Sequence, residues 1–194
     1  MMERTEDEAL SPAFLERARE WAGGKWWTWR LLLLLLLAWN GWRVFADEEY
    51  SGLFGGITFG VHEFGHMVFG FFGEFVMVAG GSIAQVLVPV LAGVLMLRAP
   101  DYFGLAAAGA WLSSSLVNLG AYVGDARALE LPLLGMGPDP QHDWAFLLGH
   151  LHLLQYDTRF ASALRLAAAV ILMLSLAFGL WLCRQMATSL SADS

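Results

Sequence analysis

The sequence predicts an all-α, polytopic membrane protein, a compact bundle of about five transmembrane helices. Of its 194 residues, 57% are hydrophobic and only 15% are charged, which is more apolar surface than a soluble domain of this length can bury. An unbroken leucine run at 31–37 has tryptophans on both sides, as in the interfacial belts of spanning helices. Both observations favour a chain embedded in lipid.

The first quarter of the chain is predicted to hold a short interfacial helix and the first span. The helix is expected at 11–22, with Ser11 as its N-cap and Pro12 as its first residue. The span follows at 26–45, close to the roughly 20 residues that a bilayer requires. The predicted domains are an acidic N-terminal tail with the interfacial helix (1–25), a transmembrane domain (26–184) and a polar C-terminal tail (185–194).

Four further spans are predicted from the remaining apolar segments. Before the second span begins, and within it, glycines recur at four-residue spacing (Gly52, Gly56, Gly60), a stripe that should let another helix approach closely. The short segment 74–79 lies between glycines and is expected to be a re-entrant strand or turn. The expected spans are 53–75, 83–97, 102–123 and 161–182, with a loop region at 125–160 before the last one.

Charge and cysteine content limit the function classes. Five spans put the termini on opposite sides, and the positive-inside rule places the N-terminus in the cytoplasm because the N-terminal flank is the most basic one (Arg4, Arg17, Arg19, Lys25, Arg30). The net charge of −7 argues against nucleic acid as a partner. Cys183 is the single cysteine, so a metal would need nitrogen and oxygen ligands.

The most informative motif is His-Glu-Phe-Gly-His at residues 62–66, an HExxH pattern inside an apolar segment. Residues i and i+4 share one face of a helix, so His62 and His66 can reach the same metal ion. Glu63 can then contact the metal-bound water as a general base. A polar cluster that only holds helices together is the plainer interpretation, but ionisable residues in lipid are costly and mark functional sites. The motif therefore predicts a buried metal site.

A catalytic zinc needs at least one further protein ligand. Asp125 follows the fourth predicted span, and His142 and Asp143 form the other concentration of ligand types. His150 and His152 are two residues apart, so on a helix they point in different directions. At this stage the alternatives for the third ligand stay open among five residues: Asp125, His142, Asp143, His150 and His152.

The HEFGH motif on an apolar helix, followed by an Asn and an Asp on a later span, resembles the site-2 protease family of intramembrane zinc metallopeptidases. The runs VHEFGHMVFGFFG, GGSIAQVLVP, NLGAYVGDARALELPLLG and HDWAFLL are similar to a small bacterial branch of that clan. The likeness covers residues 55–150. It implies a bacterial inner-membrane protein.

The resemblance also implies roles for individual residues. His62, His66 and Asp125 would bind Zn²⁺, Glu63 would activate water, and Asn118 would hold the substrate strand. The family's Pro and Asp-Gly around the third ligand are missing, because Asn118 is followed by Leu119 and Asp125 by Ala126. His142 therefore remains a rival to Asp125, or a fourth ligand.

The expected function is zinc-dependent hydrolysis of peptide bonds within or beside the bilayer, with a transmembrane protein or peptide as substrate and membrane lipid as surroundings. A metal-binding but proteolytically silent scaffold or subunit is the main alternative. A hydrolase of another bond is also compatible, because activated water is not specific for one substrate. A metal transporter ranks last, since the first, third and fifth predicted spans carry few ionisable residues.

Overall fold

The computed structural model describes residues 6–47, 50–132 and 141–192. Within these ranges the chain forms helices and connections without any β-strand, which confirms the all-α prediction. The helices are α1 (Glu6–Ala22), α2 (Thr28–Ala46), α3 (Gly55–Phe69), α4 (Glu74–Arg98), α5 (Tyr102–Gly124), α6 (Asp143–His150) and α7 (Asp157–Ala192). Two 3-10 turns, Gly70–Phe72 and Leu154–Tyr156, precede α4 and α7.

Three segments of the described chain have the length and apolar composition needed to cross a membrane. They are α2, α4 and the stretch Leu154–Leu190, which contains most of α7. Large apolar side chains cover the outside of the bundle, with Phe71 91% exposed and Met173 69% exposed. Such an apolar surface needs lipid around it. The prediction of a membrane protein is confirmed at this level.

The second predicted span is shorter than expected. It was predicted to run to residue 75, but α3 ends at Phe69 and has 15 residues. Such a helix rises by about 22 Å, less than the roughly 30 Å of the hydrocarbon core. A 3-10 turn and Gly73, with φ of 92°, then reverse the chain into α4.

Helix α4 begins earlier than predicted and corrects the interpretation of residues 74–79. That segment is helical, and Gly80 and Gly81 lie inside the helix instead of breaking it. A Cβ on Gly65 of α3 would overlap the carbonyl oxygen of Gly80, so the two backbones touch. The glycines are tolerated because their lack of side chains allows this close approach.

The predicted glycine stripe does not form the contact between α3 and α4. A Cβ on Gly56 or Gly60 would meet nothing within 4 Å, so both residues face open space. Gly52 lies before α3 and adopts a φ of 82°. Gly65, one position outside the predicted repeat, provides the close approach instead.

Helix α5 is central and packs against α2, α4 and α7. Many of its buried residues are small, and the buried hydroxyl of Ser113 donates to the Ala168 carbonyl of α7 over 2.8 Å. Small side chains let neighbouring helices come close. Because α5 contacts both α4 and α6, its C-terminal half lies beside the α3–α4 pair.

The first and last helices of the described chain pack against each other. Helix α1 begins at Glu6, before the predicted start at 11, and its residues Ala18 and Ala22 are fully buried in one cluster with Leu182 and Met186 of α7. Helix α7 continues to Ala192, so the segment predicted as a polar tail is helical up to that residue. The predicted loop region also contains α6 and the first turn of α7.

Replacing Gly65 by alanine should destabilise the bundle by about 1–3 kcal/mol, the usual cost of overpacking, because the new methyl group would push α3 away from Gly80. Gly60→Ala is the matched control on the same helix, since its methyl group enters open space. Alanine also favours a helix over glycine by about 1 kcal/mol. Thermal unfolding in detergent should therefore give a lower midpoint for Gly65→Ala alone; equal midpoints for the two variants would contradict the packing argument.

Candidate metal centre

His62 and His66 lie on the face of α3 that packs against α4. Their ring centroids are 4.8 Å apart, and His62 is buried while His66 is partly exposed. The i, i+4 spacing puts both rings on one side of the helix. They enter the space over Gly81, where α4 has no side chain.

The protonation pattern of His62 follows from its partner Gln85. The Gln85 amide nitrogen donates to the Ser115 carbonyl over 3.0 Å, which fixes the orientation of the amide group and leaves its oxygen facing His62. That oxygen lies 2.9 Å from His62 Nδ1 and can only accept a hydrogen bond. Nδ1 therefore carries the proton in the neutral ring, and Nε2 has a free lone pair.

His66 is held in the same way by a backbone group. Its Nδ1 lies 2.9 Å from the Met77 carbonyl oxygen, which is also only an acceptor. Nε2 of His66 thus has the second free lone pair. Histidines that bind metals usually donate their other N–H to a carbonyl or carboxylate in this manner.

Asp143, the first residue of α6, places its carboxylate between the two histidines. Its Oδ2 lies 3.0 Å from His62 Nε2 and 3.2 Å from His66 Nε2. Three acceptor atoms at this spacing repel each other unless a proton or a metal cation lies among them. With protons on the imidazoles, burial opposes ionisation of Asp143, but the hydrogen bonds from His62 and His66 outweigh it, so the pKa of Asp143 falls below its ordinary value.

The donor set fits zinc. Two imidazole nitrogens and a carboxylate oxygen are common ligands of catalytic zinc. In a tetrahedral site with bonds of about 2.0–2.2 Å, neighbouring ligand atoms are about 3.3–3.6 Å apart. The measured 3.0 and 3.2 Å are slightly shorter, so small side-chain rotations are enough to open the set around an ion.

Gly81 keeps the space between the ring nitrogens open. A Cβ at this position would lie 2.5 Å from His66 Nε2 and 2.7 Å from His62 Nε2, closer than non-bonded atoms can approach. Any larger residue would fill the region where the ion is expected. The glycine therefore matters for ligand access as well as for helix packing.

Glu63 stands beside this set without a hydrogen-bond partner among the described residues. Ligand atoms of His62, Glu63 and His66 all lie within 4.8 Å of one another, and the Glu63 side chain is partly exposed. Its carboxylate is therefore not engaged by another residue of the described chain.

The structure pairs Asp125 and His142 with each other. Asp125 Oδ2 lies 3.3 Å from His142 Nε2, and the Asp125 carboxylate also accepts from the backbone of Glu130 and Leu131. Within the described residues neither side chain has a polar contact with the His62–His66 pair. Asp143, one of the alternatives for the third ligand, occupies the position expected for Asp125.

The remaining predicted residues lie away from the ring nitrogens. Asn118 donates to the Ser51 carbonyl over 3.5 Å, on the face of α5 that also carries Ser115. His150 and His152 are exposed near the C-terminal end of α6, as expected for solvated residues.

Two residues of the site were missed or undervalued at the sequence level. Gln85 fixes the His62 ring, although an amide in a spanning helix is more often a group that joins helices. Tyr122 was not singled out; its hydroxyl accepts from the Asp143 backbone N–H over 3.0 Å. A tyrosine three residues before Asp125 is a weak signal, because tyrosines are common near membrane interfaces.

No family model, curated protein or solved structure matches the chain. The resemblance to the site-2 protease family therefore stays a prediction, and the roles of the residues are assigned from the geometry of the site.

Gly81→Ala should weaken zinc binding by at least tenfold, because the methyl group would occupy the space in front of both Nε2 atoms. Gly93→Ala, slightly more than three turns further along α4, is the matched control, since its methyl group would make only ordinary contacts of 3.5 and 3.8 Å. Zinc affinity can be measured by competition with a chromophoric chelator in detergent. Wild-type affinity in Gly81→Ala would exclude this location for the ion.

Proposed function

We propose that the chain is an intramembrane zinc metalloprotease in which His62, His66 and Asp143 bind the ion. One observation carries the proposal: two imidazoles with their Nδ1 protons held by acceptors direct both free Nε2 atoms at one carboxylate. A buried set of three acceptors is costly without a proton or a metal cation among them, and the set offers its ligand atoms to such an ion. The adjacent Glu63 supplies the group that hydrolysis needs.

When bound, zinc would polarise the scissile carbonyl and lower the pKa of a water ligand toward about 7. The Glu63 carboxylate would accept the proton of that water and deliver it to the leaving amine. Gln85 and the Met77 carbonyl would keep the histidine rings in the metal-binding tautomer. Because the site lies among apolar helices, its charges act with little screening.

The membrane setting supports a substrate that is itself in the bilayer. We propose five spans, formed by α2, α3, α4, α5 and α7, in a bacterial inner membrane, with the basic N-terminal flank in the cytoplasm. The short α3 and the exposed apolar surface around Phe71, which is 91% exposed, favour access of an unwound transmembrane segment to the site. A peptide bond must leave its helix before water can reach it.

A proteolytically silent metal-binding scaffold is the second candidate, and one observation favours it. Glu63 is close enough to the histidines to be a ligand itself. Four protein ligands would close the coordination shell, as in structural zinc sites. The role of Glu63 therefore separates the two functions.

Glu63→Gln should retain one zinc ion per chain while cleavage of a quenched transmembrane reporter peptide falls by about 10²–10⁴-fold, the usual contribution of a general base. Stoichiometry by elemental analysis and turnover in proteoliposomes are measured on the same sample. Unchanged turnover in this variant would remove the protease mechanism. Loss of zinc would instead favour the closed, silent site.

Asp143→Ala should lower zinc affinity by at least about 100-fold, more than the 10–100-fold typical of residues that only support a ligand, and abolish cleavage. Asp101→Asn is the matched control, because Asp101 caps α5 away from the histidines and asparagine caps equally well. Binding is measured by chelator competition in detergent. A variant of Asp143 with wild-type affinity would contradict its assignment as a ligand.

A further inference from the structure

A second buried acid–base pair lies next to the metal centre and has no role in the mechanism above. Asp125 is 8% exposed and His142 is 5% exposed. Asp125 is the residue immediately after α5, and His142 immediately precedes α6. Ionisable side chains are rarely buried unless they are paired, and this pair joins the end of α5 to the start of α6.

Hydrogen bonding fixes the state of the His142 ring. Its Nδ1 accepts from the Ala145 backbone N–H over 3.2 Å, which caps the first turn of α6. Nδ1 therefore carries no proton, and in the neutral ring the proton is on Nε2. Nε2 lies 3.3 Å from Asp125 Oδ2, a close polar contact without hydrogen-bond geometry, and it has no hydrogen-bond partner among the described residues.

Asp125 is anchored on its other side. Its two oxygens accept from the Glu130 backbone N–H over 2.9 Å and from that of Leu131 over 3.1 Å. The carboxylate thus ties the chain that leaves α5 to the ring that caps α6. Both of its oxygens are engaged by these contacts, and among the described residues it makes no polar contact with the His62–His66 pair.

Tyr122 completes the arrangement around residue 143. Its ring packs on His142 with centroids 4.3 Å apart, and its hydroxyl accepts from the Asp143 backbone N–H over 3.0 Å. The backbone of Asp143 is therefore held directly by Tyr122 and, through the preceding residue, by Asp125. With its backbone held in this place, the short side chain of Asp143 reaches both histidines.

We propose that Asp125 and His142 are positioning residues that hold Asp143 in reach of the metal, and that they are not ligands themselves. This inference depends on the proposed metal centre but not on protease activity. Ligand groups must be held within about 0.5 Å of their working geometry. The pair supplies that restraint from outside the coordination shell.

The test compares two replacements of His142 by zinc affinity and by the absorption spectrum of the Co²⁺-substituted protein. In His142→Asn the α6 cap is kept, since asparagine is a good N-cap, but the side chain is too short to reach Asp125. Zinc affinity should fall by about 10–100-fold, as for other residues that support ligands, and the Co²⁺ spectrum should change with the loss of the carboxylate. In His142→Gln the amide can still donate to Asp125, so most of the affinity should return.

His150→Asn is the control, because it alters an exposed histidine on the same helix. The unfolding temperature of each metal-free variant is recorded, and affinities are compared at a temperature at which every variant is folded; the proposal requires the affinity of His142→Asn to fall under that condition. Wild-type affinity and spectrum in His142→Asn would overturn the proposal, and so would equal losses in the Asn and Gln variants, which indicate a direct ligand. A wild type that binds zinc but cleaves nothing would refute the protease and leave the positioning role intact.

Discussion

The contact between α3 and α4 is the constraint on which the rest of the site depends. Gly65 and Gly80 remove the side chains that normally separate two helices, so the backbones touch. The histidine rings can then extend over Gly81 and reach a common point. Lipid provides no hydrophobic force between helices, so this surface is held by close packing and by the hydrogen bonds that cross it.

Those hydrogen bonds link three helices through one imidazole. His62 belongs to α3, its partner Gln85 to α4, and the carbonyl that orients Gln85 belongs to Ser115 of α5. Each of these groups is buried, and removing one would leave the next without a partner at a cost of about 1–3 kcal/mol. The orientation of the ring is therefore a property of the helix bundle and not of the HExxH motif alone.

The parts of the structure that could be predicted from the sequence are local. The apolar content indicates helices in a membrane, and the i, i+4 spacing is enough to bring His62 and His66 together. The acidic residue that lies beside the two histidines could not be chosen this way, because the docking of α6 decides whether Asp125 or Asp143 reaches the rings. Gly80 and Gly81 suggested a break because glycine disfavours an isolated helix by about 1 kcal/mol. In the bundle, tight packing and the need to satisfy every backbone group keep α4 helical.

The sequence distance between the site's parts has a consequence for how the protein is made. His62 and Asp143 are 81 residues apart, so α3 and α4 leave the ribosome well before the carboxylate does. Until then the two imidazoles offer only half of a coordination shell, which retains a metal ion weakly. Because binding free energy is also folding free energy, an ion captured by the proposed centre once α6 has been made would lock α6 against α3 and α4. Metal uptake would thus have to wait for Asp143, and a nascent chain without α6 would have no premature hydrolytic centre of the proposed kind.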